Sequence, residues 1–241
     1  MMPDHAILTA DDHRDLRIRT DRAPELGDGL MACITVPSEF RRVQTDYPIL
    51  FQRDPAQGSV TAVALFGFEE GENLFLADGR WDARYRPLAI DSQPFLVGRG
   101  ADGSDVRQVH IDMASPRIAG DSGEGMRVFD DTGRPTPYLE RIADQLRALD
   151  TDFVASADFF AALQRYDLLE PLTLDVTLDD GAKNRLVGFH VIDEDRLVAL
   201  DDAAVADLHA GGHLMPIFMA LAALGNIGAL IARKNRRIAH G

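Results

Sequence analysis

The chain has 241 residues, 46% of them hydrophobic, which is enough to bury a sizeable core as one large domain or two small ones and excludes a disordered protein. Its 39 acidic against 25 basic side chains give a formal charge of -14, which repels phosphate backbones and excludes nucleic acid as a partner. The single cysteine, Cys33, precludes an internal disulfide and, placed in an apolar run, reads as a small core residue rather than a nucleophile.

The first residues, MMPDHAILTADDH, lack a basic segment followed by an apolar one, so no cleavable secretory signal is expected and a cytoplasmic location follows. Residues 1–28 are polar, and the alternation Leu16, Ile18 suits a short edge strand. Residues 31–36 form the first clear strand. Pro37, Ser38 and Glu39 then open a short helix through Phe40 and Val43, because serine accepts from a free helix N–H and an acid suits the first turn. Residues 47–51 return as a strand, and residues 59–66, β-branched and apolar, suit a central one. Residues 67–98 hold the only tryptophan, Trp81, among the turn formers Gly71, Asp78, Gly79, Pro87 and Pro94. Asp78-Gly79 supplies the positive φ of a tight hairpin after residues 74–76. Residues 98–103 read as a loop, residues 106–113 as a strand, and residues 114–125, rich in Gly, Ser and Asp, as a flexible loop or a boundary.

Beyond this point the period becomes helical. Tyr138, Ile142, Leu146 and Leu149 share one face, and Thr151 starts a second helix reaching about Leu169. Residues 172–192 form a hairpin around Asp180-Gly181, Asp201 caps a helix through Leu208, and Gly211-Gly212 ends it. The fold class is therefore α+β: a β-rich part over residues 1–113, then a helical part over residues 126–241 with a closing helix at 213–235, expected to form one compact unit.

The order YPILF at residues 47–51, then ALFGFEEGENLFLADGRWDARYRP, then QPF ending at Phe95, is similar to the SapC family. VFDDTGRPT, the segment 153–169, GFHVIDEDRLVAL and the final helix extend the resemblance over nearly the whole chain. Family members usually carry a basic, aromatic run before the Pro-Phe pair, where this chain has Ala89-Ile90-Asp91-Ser92-Gln93 and so no basic contact. The resemblance implies a non-catalytic accessory protein associated with bacterial surface-layer or cell-surface systems. Genes of this kind are found beside outer-membrane receptor, cupin-like oxygenase and flavin-halogenase genes, which implies a protein, peptide or small-molecule partner and no cofactor.

Candidate site residues are weighed against plainer roles. Asn73, Trp81, Tyr85 and Phe95 form a possible binding surface, the aromatic rings stacking a sugar or a peptide side chain; more often such rings are the core of a small sheet. His110 and Asp112 project from one face of a strand, and His190 lies in another with Arg196 beyond it, an order similar to the facial triad of Fe(II) and 2-oxoglutarate oxygenases. HxD triplets are common by chance in acidic chains, so this enzyme reading stands second. His209 and His213 are four apart, yet Gly211-Gly212 between them ends the helix that would align them as metal ligands. Residues 214–232 carry no charge and precede Arg233-Lys234-Asn235-Arg236-Arg237, a length close to the roughly 20 residues that cross a bilayer. Pro216, Asn226 and five small residues favour a buried core helix over membrane association.

Overall fold

The computed structural model describes residues 4–99, 107–119 and 123–240. Val106, residues 100–103 of the expected loop and residues 120–122 of the second loop lie outside the described residues.

A five-stranded antiparallel sheet carries the main core. Its strands run in the order Leu169–Thr177, Lys183–Ile192, Ile49–Arg53, Val60–Leu65 and Ala32–Thr35. The late hairpin joins the early strands where Phe189 pairs with Gln52 and His190 with Phe51. Gly181 turns that hairpin at φ 86°, and a register shift between Leu172 and Leu174 lets its edge strand bend. Phe40, Phe51, Phe66, Leu163 and Ile217 fill the core beneath the sheet, and each fully buried aliphatic or aromatic side chain contributes about 1.5–3 kcal/mol of transfer free energy.

A second core lies under the helix Pro137–Ala155, whose Tyr138, Leu139, Ile142 and Leu146 point inward at helical spacing. Its other wall is a three-stranded sheet of His5–Ile7, Arg107–Asp112 and Phe95–Arg99, with Arg107–Asp112 in the middle. The two cores do not follow chain order. The first takes residues from 33 to 90 and again from 159 to 230, while the second takes Ile18, Phe95, Ile111 and residues 128–146.

Several local expectations change. Arg17–Ile18 is a central strand rather than an edge one, because Ile118–Ala119 and Met126–Arg127 pair with it on opposite sides. Thr151 lies inside the long helix, which runs on to Ala155 before Ser156 joins it to Ala157–Arg165. Ser38 and Glu39 belong to a 3-10 turn, Pro37–Glu39, ahead of the helix Phe40–Val43; Ser38 donates to Asp152 at 2.6 Å, and Glu39 turns inward instead of solvating the helix start. Asp201 caps Asp202–Ala210 as expected, its side chain accepting from the Ala204 N–H at 2.8 Å. The long closing helix is present as expected, with a short i→i+3 irregularity at Leu224 and Gly225 between Leu214–Ala223 and Asn226–His240. Its residues 214–240 are long and apolar enough to cross a membrane, but Ile217, Met219, Ala220, Ala223 and Leu230 are buried in the main core. Asn226 donates to the carbonyls of Gln44 at 2.8 Å and Tyr47 at 3.1 Å, anchoring the second helix to the end of Phe40–Val43.

Candidate functional site

The stretch 67–98 begins with a close approach. A Cβ on Gly67 would lie 2.7 Å from the Glu72 carbonyl oxygen, so only glycine lets the loop fold back for Glu72 to accept from the Phe68 N–H at 2.9 Å. Asp78 at φ 51° and Gly79 at φ 72° make the tight turn that pairs Leu76 with Trp81. The indole is half-buried against Phe66, ring centroids 5.2 Å apart and edge to face. Its Nε1 donates to the Tyr47 hydroxyl at 2.7 Å, and that hydroxyl donates in turn to the Tyr85 carbonyl.

Tyr85 leads to a buried carboxylate. Its hydroxyl donates to Glu39, which is fully buried and also accepts from the Leu88 N–H at 3.0 Å and from Thr35 Oγ1 at 3.4 Å. The Arg42 guanidinium lies over the Tyr85 ring, 4.5 Å from its centroid. Burial raises the Tyr47 phenol, and burial together with the Glu39 carboxylate raises Tyr85, so both remain hydrogen-bond donors at neutral pH. Burial and Glu39 also push the Cys33 thiol well up, which keeps it protonated and inert as a nucleophile.

Asn73 ties the same stretch to a second network. Its Oδ1 accepts from the Phe75 N–H at 3.0 Å and its Nδ2 donates to the Asp28 carbonyl at 2.8 Å. The Asp28 carboxylate, fully buried, meets Arg117 at 2.6 Å and Arg22 at 3.1 Å and accepts from the Ala23 N–H at 3.0 Å. Arg117 also donates to the carbonyls of Arg19 and Asp21, while its Nε has no partner. Arg22 reaches on to Asp91, where Arg86, Arg141 and Gln145 converge. Burial disfavours the Asp91 carboxylate, but the Gln145 hydrogen bond and the Arg86 charge outweigh it and lower the pKa. This network joins the N-terminal loop to helix Pro137–Ala155.

The basic end of the last helix closes over the stretch from outside. Arg233 pairs with Asp82 at 2.6 Å and lies 4.4 Å from the Phe75 ring centroid. Lys234, 8% exposed, pairs with Glu72 at 2.5 Å and Glu69 at 3.4 Å, and Arg237 donates to the carbonyls of Asn73 and Leu76, both at 3.2 Å. Burial works against the Lys234 ammonium, but its two carboxylate partners prevail and raise its pKa.

Asn73, Trp81 and Tyr85 thus come together in one fastening, while Phe95 stands apart in the second core, edge to face with Tyr138 at 6.2 Å. Phe95 lines two cavities: an open one of about 680 Å³ with Leu26, Leu30, Pro94 and Asp112, and an apolar groove of about 300 Å³ with Ile34, Val97, Leu149 and Phe153. A further cavity of about 680 Å³ lies between Ile7, Val109, Phe129 and Leu139. Sequence reading missed Glu39 as a buried acceptor and missed Asp28 and Arg117 altogether; Gly27-Asp28-Gly29 signals only a turn.

The histidine candidates are dispersed. His110 and Asp112 lie in the sheet of the second core and His190 in the central sheet. Asp112 Oδ1 accepts from the N–H groups of Asp4 and Ala114, and the His110 ring lies over Gly98, where a Cβ would displace it. Burial lowers the His190 pKa, and the Arg53 charge adds to it. His209 is exposed at a helix end, while His213, beyond the turn at Gly212, packs against Phe159 with centroids 5.9 Å apart. Among the described residues no group of three or more His, Cys, Asp or Glu side chains is placed to hold a metal ion.

No curated protein and no solved structure matches the chain. The family model for SapC matches residues 8–230, taking in the fastened stretch, both buried networks and most of the closing helices. The chain is a member of the SapC family.

Proposed function

We propose that this is a non-catalytic accessory protein of bacterial surface-layer or cell-surface systems, working in the cytoplasm by binding a protein, peptide or small-molecule partner. One observation supports the reading. The side chains with the most reactive chemistry near the 67–98 stretch, Glu39, Tyr47, Trp81 and Tyr85, are bonded to one another and to backbone, and none lines the cavities described above. A catalytic acid or base needs an unsatisfied position facing a substrate. The groove beside Phe95 offers apolar walls instead, with Ile34 and Phe153 both exposed at its margin.

The test pairs partner capture with metal titration. The tagged full chain should retain a partner identified by mass spectrometry, and Phe153→Asp should lose that partner while melting at the same temperature. Tight Fe(II) binding at one per chain by calorimetry, abolished by His110→Ala, would overturn the accessory reading in favour of an oxygenase. Retention of the same partner by Phe153→Asp would remove the groove as its binding place.

A further inference from the structure

Phe95–Arg99 is the outer strand of its three-stranded sheet, and its free edge opens into the apolar groove beside Phe95. Successive side chains of a strand point to opposite faces, so Leu96 and Val97 line one groove only where the groove runs along the strand edge. The register fixes which backbone groups lie there. The Asp112 N–H donates to the Pro94 carbonyl at 3.1 Å, and the Leu8 N–H to the Val109 carbonyl at 3.0 Å. In the pairs Phe95–Ile111 and Val97–Val109 the groups of Val109 therefore turn toward His5–Ile7, and those of Phe95 and Val97 turn out of the sheet. The Phe95 N–H is met by the Ser92 carbonyl at 2.9 Å, but the Phe95 carbonyl and both the N–H and the carbonyl of Val97 find no partner among the described residues.

We propose that this edge receives an extended peptide segment, apolar at alternate positions, which adds a strand beside Phe95–Arg99. The proposal rests on the groove being the partner-binding place and names the form in which the partner enters it. In antiparallel pairing, one residue of the added strand accepts from the Val97 N–H and donates to the Val97 carbonyl, a two-bond pair. Its alternate side chains then lie against Leu146, Leu149 and Phe153 of the long helix, and the side chains between them turn away. The chain blunts two of its other outer strands against such pairing. Leu169–Thr177 carries Pro171, the charges of Glu170 and Asp175 and a register shift, and His5–Ile7 is only three residues long. Phe95, Leu96, Val97 and Gly98 carry neither charge nor proline.

The unpaired backbone groups select this occupant over others. A small apolar molecule or a bilayer covers the walls of the groove but leaves a donor and two acceptors buried without partners. A second copy brings its own Phe95–Arg99 edge set back between the exposed side chains of Ile34 and Phe153, and two recessed edges meet less readily than one such edge and a free segment.

The probe is a fluorescein-labelled peptide in which valine alternates with threonine between terminal lysines, titrated with the full chain and followed by polarisation. Binding should saturate, and methylating two adjacent central amide nitrogens of the peptide, one on each of its edges, should abolish it. Val97→Pro removes the outward N–H at a position where an outer strand tolerates proline, and should weaken binding by about tenfold or more. Hydrogen exchange on the unaltered chain gives a reading independent of that variant: the Val97 amide should exchange rapidly alone and slowly with the peptide bound. Absence of saturable binding, equal binding of the methylated peptide, or a Val97 amide already protected in the free monomer overturns the proposal. So does a concentration-dependent dimer that Val97→Pro abolishes, which gives the edge to a second copy. Loss of the captured partner in Phe153→Asp together with full retention in a folded Val97→Pro overturns the strand pairing alone and leaves the groove as the binding place.

Discussion

The Trp81 indole donates to the hydroxyl of Tyr47, thirty-four residues earlier, at 2.7 Å, and that hydroxyl donates its own hydrogen bond to the Tyr85 carbonyl. Removing the hydroxyl by Tyr47→Phe leaves an indole N–H and a carbonyl unpaired, at a cost of about 1–3 kcal/mol. Trp81→Ala should cost about 3 kcal/mol, the low end for a large aromatic because the ring is half-buried. Urea unfolding of both single variants and the double variant checks this, and the double should cost less than the sum because one bond is shared. Unchanged stability in Trp81→Ala, with loss of a bound sugar or peptide, would make the ring a recognition surface.

Lys234 and Glu72 predict an alkaline limb. The folded-state pKa of Lys234 is raised, so its stabilisation is complete below the unfolded value of about 10.4 and is lost as pH rises through the folded value. Lys234→Met leaves the half-buried Glu72 without its closest cation, costs about 1–3 kcal/mol near neutrality, and should abolish that alkaline loss. Unfolding free energies measured from neutral to alkaline pH in both proteins decide the point.

The Asp28 network predicts acid sensitivity and coupling. Asp28→Asn leaves Arg117 and Arg22 without their shared buried carboxylate and should cost about 3–5 kcal/mol. The depressed Asp91 pKa adds stability that is present above the unfolded value of about 3.9 and is lost as pH falls through the folded value. Asp91→Asn should therefore flatten the acid side of the stability profile. Hydrogen exchange at Ile142 and at Val63, one in each core, should rise together in Asp28→Asn if the network couples the cores.

Periodicity made the central strands legible. Residues 31–36, 47–51 and 59–66 are apolar runs bounded by turn formers, and all three appear within a residue or two of their expected ends. Asp78-Gly79 and Asp180-Gly181 marked their turns because positive φ leaves few residue choices. The continuation of the long helix past Thr151 was not legible because Phe153 and Val154 are exposed, so no inward stripe announces its last turn. Asp28, Glu39 and Arg117 were unreadable for a different reason. A buried charge looks like a surface charge in sequence until its partners are known, and those partners lie up to 98 residues away. The site candidates divide on the same ground: Trp81 and Tyr85 belong to one motif and are joined through Tyr47, whereas His110 and His190 lie in different sheets.

The clasp between Lys234 and Glu72 also governs when the protein becomes complete. Its two halves are separated by 162 residues, so the second leaves the ribosome well after the first. Strands Ile49–Arg53 and Val60–Leu65 must likewise wait for Lys183–Ile192 to extend their sheet and for the closing helices to cover them. During synthesis the nascent chain therefore presents Phe51, Val63 and Phe66 without their final cover. Chains of this topology complete their core only once the late hairpin and closing helices have been made, and until then the early apolar sheet is exposed to aggregation that chaperones must prevent.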